Sequence, residues 1–329
     1  MTLLHPDPHV PGRHCASSTL RDVAHFAGHD LSEAMCFGLG AGLGFTAFAR
    51  DTLSPSHQMH GRAHDLEGQF FRRLGIEFRW RTEPDAAAGW EAVRREIDRG
   101  HPVLLQADLH HLPYYGSRTH FAGHVIGLWG YDAETGVAYV GDTQFPGLQA
   151  VPLAVLAAAR TAVAPPFALA SNWFPGALPG RLPPLADLVV DAIREQAAAM
   201  LGGIAEGPLV TGVAGMAATA ATLPEWDDAL DAIWCARFAY QLIERRGTGG
   251  GNFRFLYRDF LDEASRELPW LAPLVAAMDA IGAGWSELAH CLKEVSEVPA
   301  PDFRPAAALL DDLARRERTL WTCAAGLAR

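Results

Sequence analysis

The stretch Phe121-Ala122-Gly123-His124-Val125-Ile126-Gly127-Leu128-Trp129-Gly130-Tyr131-Asp132-Ala133-Glu134-Thr135-Gly136-Val137-Ala138-Tyr139-Val140-Gly141-Asp142-Thr143 decides how this chain folds. Two runs of β-branched, aliphatic and aromatic residues, 125–131 and 137–140, flank a turn composition, Asp132-Ala133-Glu134-Thr135-Gly136. The stretch therefore reads as an antiparallel hairpin with a short loop. With the turn centred near Ala133 and Glu134, paired residues have numbers that sum to about 266 to 268. His124, at the start of one strand, then faces residues 142–144 at the end of the other, and Asp142 meets the imidazole at the open end.

A histidine beside a carboxylate is held in one tautomer, and it needs only a nucleophile to act as a base in covalent chemistry. Arg13-His14-Cys15-Ala16-Ser17-Ser18-Thr19-Leu20 supplies a thiol. Leu20, Val23, Ala24 and Ala27 recur at helical spacing and Gly28 provides a stop, so Cys15 falls at or just before a helix N-terminus. There the helix dipole and the free N–H groups favour a thiolate. Taken singly, each residue has an inert reading: a small buried cysteine, or a surface ion pair. Together they have the order Cys15, His124, Asp142, with the cysteine opening a helix and the other two on strands, which is that of papain-like cysteine enzymes.

Composition narrows the partners. At 329 residues the chain exceeds the usual single core, so two domains are expected. A formal charge of −11, from 38 acidic and 27 basic residues, argues against a nucleic-acid partner and suits a neutral or cationic small substrate. The five cysteines, Cys15, Cys36, Cys235, Cys291 and Cys323, are far apart and odd in number, so they read as reduced thiols rather than as disulfides or a zinc site. No signal-peptide pattern opens the chain and no apolar run reaches membrane-spanning length, so a soluble cytoplasmic protein with no membrane partner is expected.

Beyond the hairpin, Asp30 and Glu33 read as a capping box that opens a second helix, with Glu33 as structural support beside the site. The glycine-rich run 37–45 follows a helix and lacks a dinucleotide fingerprint, so it reads as close packing or a turn into a strand at 45–49. His57, His60 and His64 cluster around Gly61, which suggests a solvated loop rather than a metal site. Residues 66–74 and 90–99 read as helices closed by Gly75 and Gly100, with a strand at 76–80 between them. Residues 101–108 form a buried strand, and Leu112-Pro113-Tyr114-Tyr115-Gly116 breaks into a loop that must border the site, with Tyr114 and Tyr115 as substrate-binding candidates. His110, His111 and His120 precede the histidine strand and are expected to lack a facing carboxylate. A helix at 153–160 and two proline-rich clusters, 164–166 and 176–184, follow, and the second cluster marks the domain boundary.

From residue 185 the patterns are helical: 185–200, 229–245, 253–268, 271–280, 285–295 and 305–328. Strand signals are nearly absent, so this half reads as an α-helical domain. The expected fold is thus α+β: a papain-like domain over residues 1–175, then an all-α domain over 185–329. Between two of the helices, Asn252, Phe253 and Arg254 follow a glycine-rich, basic loop, and they are candidates for contact with an anionic carrier or ligand.

His14-Cys15 with Leu20, Ser32-Glu33, Phe37-Gly38-Leu39-Gly40, Asp108, Leu112-Pro113-Tyr114, His124-Val125-Ile126 and Gly130-Tyr131-Asp132 resemble the N-terminal domain of the butirosin biosynthesis protein H family. Gly249-Gly250-Gly251-Asn252-Phe253-Arg254 with Tyr257, Phe260-Leu261 and Glu263-Ala264 resembles the helical domain that accompanies it. The resemblance implies an acyltransferase of antibiotic biosynthesis. Such an enzyme takes an acyl group from the phosphopantetheine thioester of an acyl carrier protein and gives it to a small-molecule amine, with no metal or redox cofactor. Carried over, it makes Cys15 the nucleophile, His124 the base and Asp142 the orienting carboxylate. Related peptidases often carry a glutamine shortly before the cysteine. Here that segment is Val10-Pro11-Gly12-Arg13-His14, so oxyanion support falls to the Cys15 N–H and His14. Two other classes stay open: a cysteine hydrolase with the same triad, and an inactive carrier-protein-binding module. A homo-oligomer is compatible with the sequence.

Overall fold

The computed structural model describes residues 1–4, 9–164 and 167–327. Two compact units emerge, Met1–Cys36 with Leu74–Leu182, and Phe37–Arg73 with Pro183–Arg329. Pro165 and Pro166 of the first proline cluster, and Ala328 at the end of the last expected helix, lie outside the described residues.

The first unit is built on an antiparallel sheet in the order Trp173–Pro175, Val103–Ala107, His124–Asp132, Val137–Gly141, Gln149–Pro152. A short Thr2–Leu3 strand pairs with the far end of His124–Asp132. The hairpin forms as the turn composition requires. Gly127 pairs with Gly141 and Leu128 with Val140, and an irregularity between Leu128 and Gly130 offsets the turn end by one residue. All of His124–Asp132 except its last residue is buried, because helices cover both faces of the strand. On one face, Ile126, Leu128 and Val140 pack with Val93 and Ile97 of the Ala86–Asp98 helix and with Leu156 of the Leu153–Arg160 helix. On the other lies the Cys15–Phe26 helix, whose Phe26 meets Trp129 edge-on at 5.6 Å. A Cβ on Gly127 or Gly141 would sit 2.8 or 2.9 Å from the Trp129 indole nitrogen, so only glycine lets the ring lie across the strands.

Two local expectations fail in this unit. Residues 76–80 form no strand; Phe78 is instead anchored by its ring against Phe174 at 4.4 Å, and the first bridge to the sheet comes at Arg81, opposite Trp173. The second helix, Glu33–Leu39, is capped by Ser32, whose hydroxyl accepts from the Met35 N–H at 2.9 Å. Asp30 is exposed beside His25, and the Glu33 carboxylate is used elsewhere.

The second unit is mostly helical but not all-α. Leu209–Thr211, Leu43–Ala49 and His57–Arg62 form a three-stranded antiparallel sheet. The three-residue strand is too short to register in sequence, and its partners lie far earlier in the chain. Residues 37–73 group with this unit rather than with the sheet that precedes and follows them, and the break after Leu182 falls in the second proline-rich cluster. The glycine run belongs to close packing: a Cβ on Gly38 would lie inside the Phe260 ring, and one on Gly42 would overlap Phe37 and Leu66. His57 and His60 sit on a strand, not in a loop. His60 stacks on Phe48, and burial, helped by His64, holds its imidazole down at about 4.

The helices Leu66–Arg73, Leu185–Leu201, Ala232–Glu244, Arg254–Ser265 and Arg304–Leu327 follow the apolar periodicity. The two helices expected at 271–280 and 285–295 are one, Ala272–Val295. Gly282 and Gly284 do not break it, because each lets a neighbour, Phe255 or Leu313, approach closer than a side chain would allow. Gly212–Thr222 is a further helix that its alanine, glycine and threonine content concealed.

Candidate active site

Cys15 is the first residue of its helix and is partly exposed. Its position is set by the strap before it. The Glu33 carboxylate accepts from the backbone N–H groups of Arg13 at 2.9 Å and His14 at 2.8 Å, and from the Ser17 hydroxyl at 3.1 Å. Gly12 passes so close that a Cβ there would sit 2.5 Å from the Ser18 Cβ and 2.9 Å from a Glu33 oxygen. One carboxylate thus holds the chain that presents the thiol.

His14 caps the helix, its Nδ1 accepting from the Ser17 N–H at 3.3 Å. A ring that accepts at Nδ1 carries its proton on Nε2 when neutral, and this nitrogen lies 4.0 Å from the Cys15 sulfur.

His124 and Asp142 meet at the open end of the hairpin. His124 Nε2 lies 2.8 and 3.0 Å from the two Asp142 oxygens. With Nε2 committed to the carboxylate, Nδ1 is the ring nitrogen left free of Asp142, and His124 joins His14 in lowering the Cys15 thiol. Asp142 is fully buried and also accepts from the Tyr114 hydroxyl at 2.8 Å and the Tyr115 hydroxyl at 2.9 Å. The two tyrosines expected to touch substrate thus have their hydroxyls engaged in holding the carboxylate.

Residues that the sequence did not single out complete the frame. His9 Nε2 donates to the Asp142 carbonyl at 2.8 Å, and its Nδ1 lies 2.5 Å from the Asp22 carboxylate. The Thr143 hydroxyl bonds Ser18 at 2.8 Å, and the Gly12 N–H donates to the Thr143 carbonyl at 2.8 Å. These bonds tie the helix that carries the thiol to the strand end that carries Asp142. No local pattern announces them, since all but the His9–Asp22 contact join residues more than a hundred positions apart.

The electrostatics follow from this packing. Burial pushes the Cys15 thiol up, but the imidazoles of His14 and His124 outweigh it and hold the thiol well below its ordinary range. Burial likewise disfavours a charged His124, yet the Asp142 carboxylate raises it to about 10. Both shifts run in the direction that favours a thiolate beside an imidazolium.

Asn252, Phe253 and Arg254 belong to the second unit, where they are buried. Arg254 is spent on the Glu317 carboxylate, at 2.9 and 3.0 Å, and on the face of Trp285 at 4.8 Å. Asn252 and Phe253 take positive φ angles, 52° and 70°, at the start of the Arg254–Ser265 helix. The side chains expected to meet an anionic carrier or ligand are thus packed within the unit. His120 also departs from expectation, since a carboxylate does face it: its Nδ1 lies 2.6 Å from Asp108.

A thiol at a helix N-terminus, facing a histidine–carboxylate pair on an antiparallel sheet, defines a class of cysteine-centred sites. Residues 14–143, from the capping histidine to the threonine after Asp142, match the N-terminal domain of butirosin biosynthesis protein H. Residues 154–323 match a domain of unknown function, DUF4872. The chain therefore belongs to the DUF4872 family, whose model spans more than half of it, and its first part is similar to the N-terminal domain of butirosin biosynthesis protein H. No curated protein matches it. Among the described residues no helix is long and apolar enough to cross a membrane.

Proposed function

We propose that the protein is a cysteine-dependent acyltransferase of antibiotic biosynthesis, which moves an acyl group from an acyl carrier protein thioester to a small-molecule amine. The observation that carries this reading is the Cys15–His124–Asp142 arrangement within a segment that matches a family named for butirosin biosynthesis. The papain-like assignment belongs to the same reading and rests on the helix-borne thiol and strand-borne pair.

The Cys15 thiolate attacks the thioester carbonyl, with the Cys15 N–H and His14 Nε2 as oxyanion donors. The tetrahedral intermediate collapses, the carbon–sulfur bond to pantetheine breaks, and the departing thiolate takes the proton held by His124. An amine then attacks the acyl-Cys15 carbonyl, His124 takes the amine proton, and the bond to Sγ breaks to leave the amide. An amide is more stable than a thioester, so this sequence needs no ATP, metal or redox cofactor. Exclusion of water separates it from a hydrolase using the same residues.

Intact-protein mass spectrometry after mixing with an acyl-loaded carrier protein tests the reading. A mass gain on the wild type that is absent from Cys15→Ala, and that disappears on adding amine with formation of amide, is the expected result. An adduct that decays equally fast without amine would make the protein a hydrolase, and no adduct would make it a binding module.

A further inference from the structure

The segment that carries Tyr114 and Tyr115 begins and ends on a second cluster of chemistry-bearing side chains. Asp108, the residue after the Val103–Ala107 strand, is fully buried and caps the short 3-10 turn Leu109–His111. One of its oxygens accepts from the backbone N–H groups of His110 at 3.1 Å and Phe121 at 2.8 Å, and the other faces His120 Nδ1 at 2.6 Å. His111, Asp108 and His120 each offer one ligand atom, and these atoms lie within 4.8 Å of one another. His110 stands beside them, its ring 4.1 Å from that of His120, and its Nδ1 is buried with no hydrogen-bond partner.

We propose that Asp108, His111 and His120 bind a divalent transition-metal ion of the zinc class. Two imidazoles and one carboxylate are the donor set such ions take, leaving one tetrahedral position for water or for a neighbouring ring. Ligand bonds of about 2.0–2.1 Å place tetrahedral donors ~3.4 Å apart. His120 is exposed and His111 half-exposed, so small side-chain rotations bring both onto the fixed, buried Asp108. On ion binding His120 takes the tautomer whose one proton lies on Nε2, which frees Nδ1 and the facing Asp108 oxygen to coordinate. The ion also meets the need of a buried carboxylate for a lasting positive charge, which a neutral histidine does not supply.

The consequence is positional. The ion joins the turn at residues 109–111 to His120 and so closes, at its base, the loop that holds Tyr114 and Tyr115 against Asp142. This inference rests on side chains apart from Cys15 and stands whichever reaction Cys15 performs.

The test is zinc titration calorimetry on the full-length Cys15→Ala chain, which removes the reactive thiol as a competing ligand, compared with the same chain carrying His111→Ala and His120→Ala. The expected result is one ion per chain with a rise in melting temperature. Loss of both ligands should weaken the site roughly 100-fold or more, beyond the about 10- to 100-fold that outer-shell changes cost. Circular dichroism verifies the fold of the variant. Zinc protection of His111 and His120 from diethylpyrocarbonate, mapped by mass spectrometry on the chain with both histidines intact, supplies an arm that needs no ligand variant. Uptake that is unchanged in the double variant, no saturable uptake up to about 1 mM zinc, or unprotected histidines would overturn the proposal.

Discussion

Cys15 owes its predicted reactivity to its surroundings, and two expectations can be read at that residue. The imidazoles of His14 and His124 hold the thiol low, whereas burial pushes the thiols of Cys235 and Cys291 up. Iodoacetamide should therefore alkylate Cys15 first at neutral pH, with Cys235 and Cys291 lagging. The sign of the pH dependence follows: below its pKa an ordinary thiol reacts about tenfold faster for each unit that pH rises, while Cys15, whose thiol is held low, should show a much flatter rise between about pH 7 and 9. A tenfold rise per unit at Cys15, followed by peptide mapping, would show an unactivated thiol. Asp142→Asn should lower turnover by about 10³- to 10⁴-fold, because an amide in place of the carboxylate favours the wrong tautomer of His124 and gives no charge to its imidazolium. The fold should persist. Asp132, at the exposed turn with its own short loop bonds, should tolerate the same change within about tenfold.

At the scale of elements, the site depends on how three segments are fastened together. Tyr114→Phe and Tyr115→Phe each remove one hydroxyl from a buried carboxylate. A hydrogen bond to a charged group contributes about 1.5–3 kcal/mol, so each should slow turnover about tenfold or more, and the double variant should lose more than either. If both single variants keep full kcat, the tyrosines are substrate contacts or bystanders, and a KM change would mark the former. Gly12→Ala introduces a Cβ into the Ser18 and Glu33 side chains. Such overpacking costs about 1–3 kcal/mol, and here it pushes on the strap that sets Cys15. Urea unfolding and the alkylation rate of Cys15 should both report it, with the rate falling as the His14 ring moves away. An unchanged rate would mean that the strap has slack.

At the scale of the whole molecule, the second unit contains a buried ionic centre of its own. Glu317 accepts from Arg254 and from the indole nitrogens of Trp285 at 2.7 Å and Trp321 at 3.2 Å, and both members of the ion pair are fully buried. Removing one partner of such a pair strands the other, at a cost of about 3–5 kcal/mol. Arg254→Met should therefore lower the denaturant midpoint of the second unit sharply, as followed by tryptophan fluorescence. A small effect would mean that Glu317 takes up a proton or water in its place.

The sequence by itself determined the hairpin, the helix that opens at Cys15 and the meeting of His124 with Asp142, because each follows from period and turn chemistry over a few residues or from strand pairing across a short loop. It also pointed to the N-terminal domain that residues 14–143 match, through short motifs in a fixed order. Only the tertiary structure decided what Glu33, Tyr114, Tyr115 and His9 do, since their partners are backbone atoms or side chains that approach only once helix and sheet have packed. The same holds for the three-stranded sheet of the second unit, where Leu209–Thr211 finds Leu43–Ala49 across about half the length of the chain. Arg254 read as a free cation because its charge was visible, while Glu317, sixty-three residues later, was not visibly its partner. Local patterns are encoded by neighbours in sequence, and burial is a property that a residue acquires from neighbours in space.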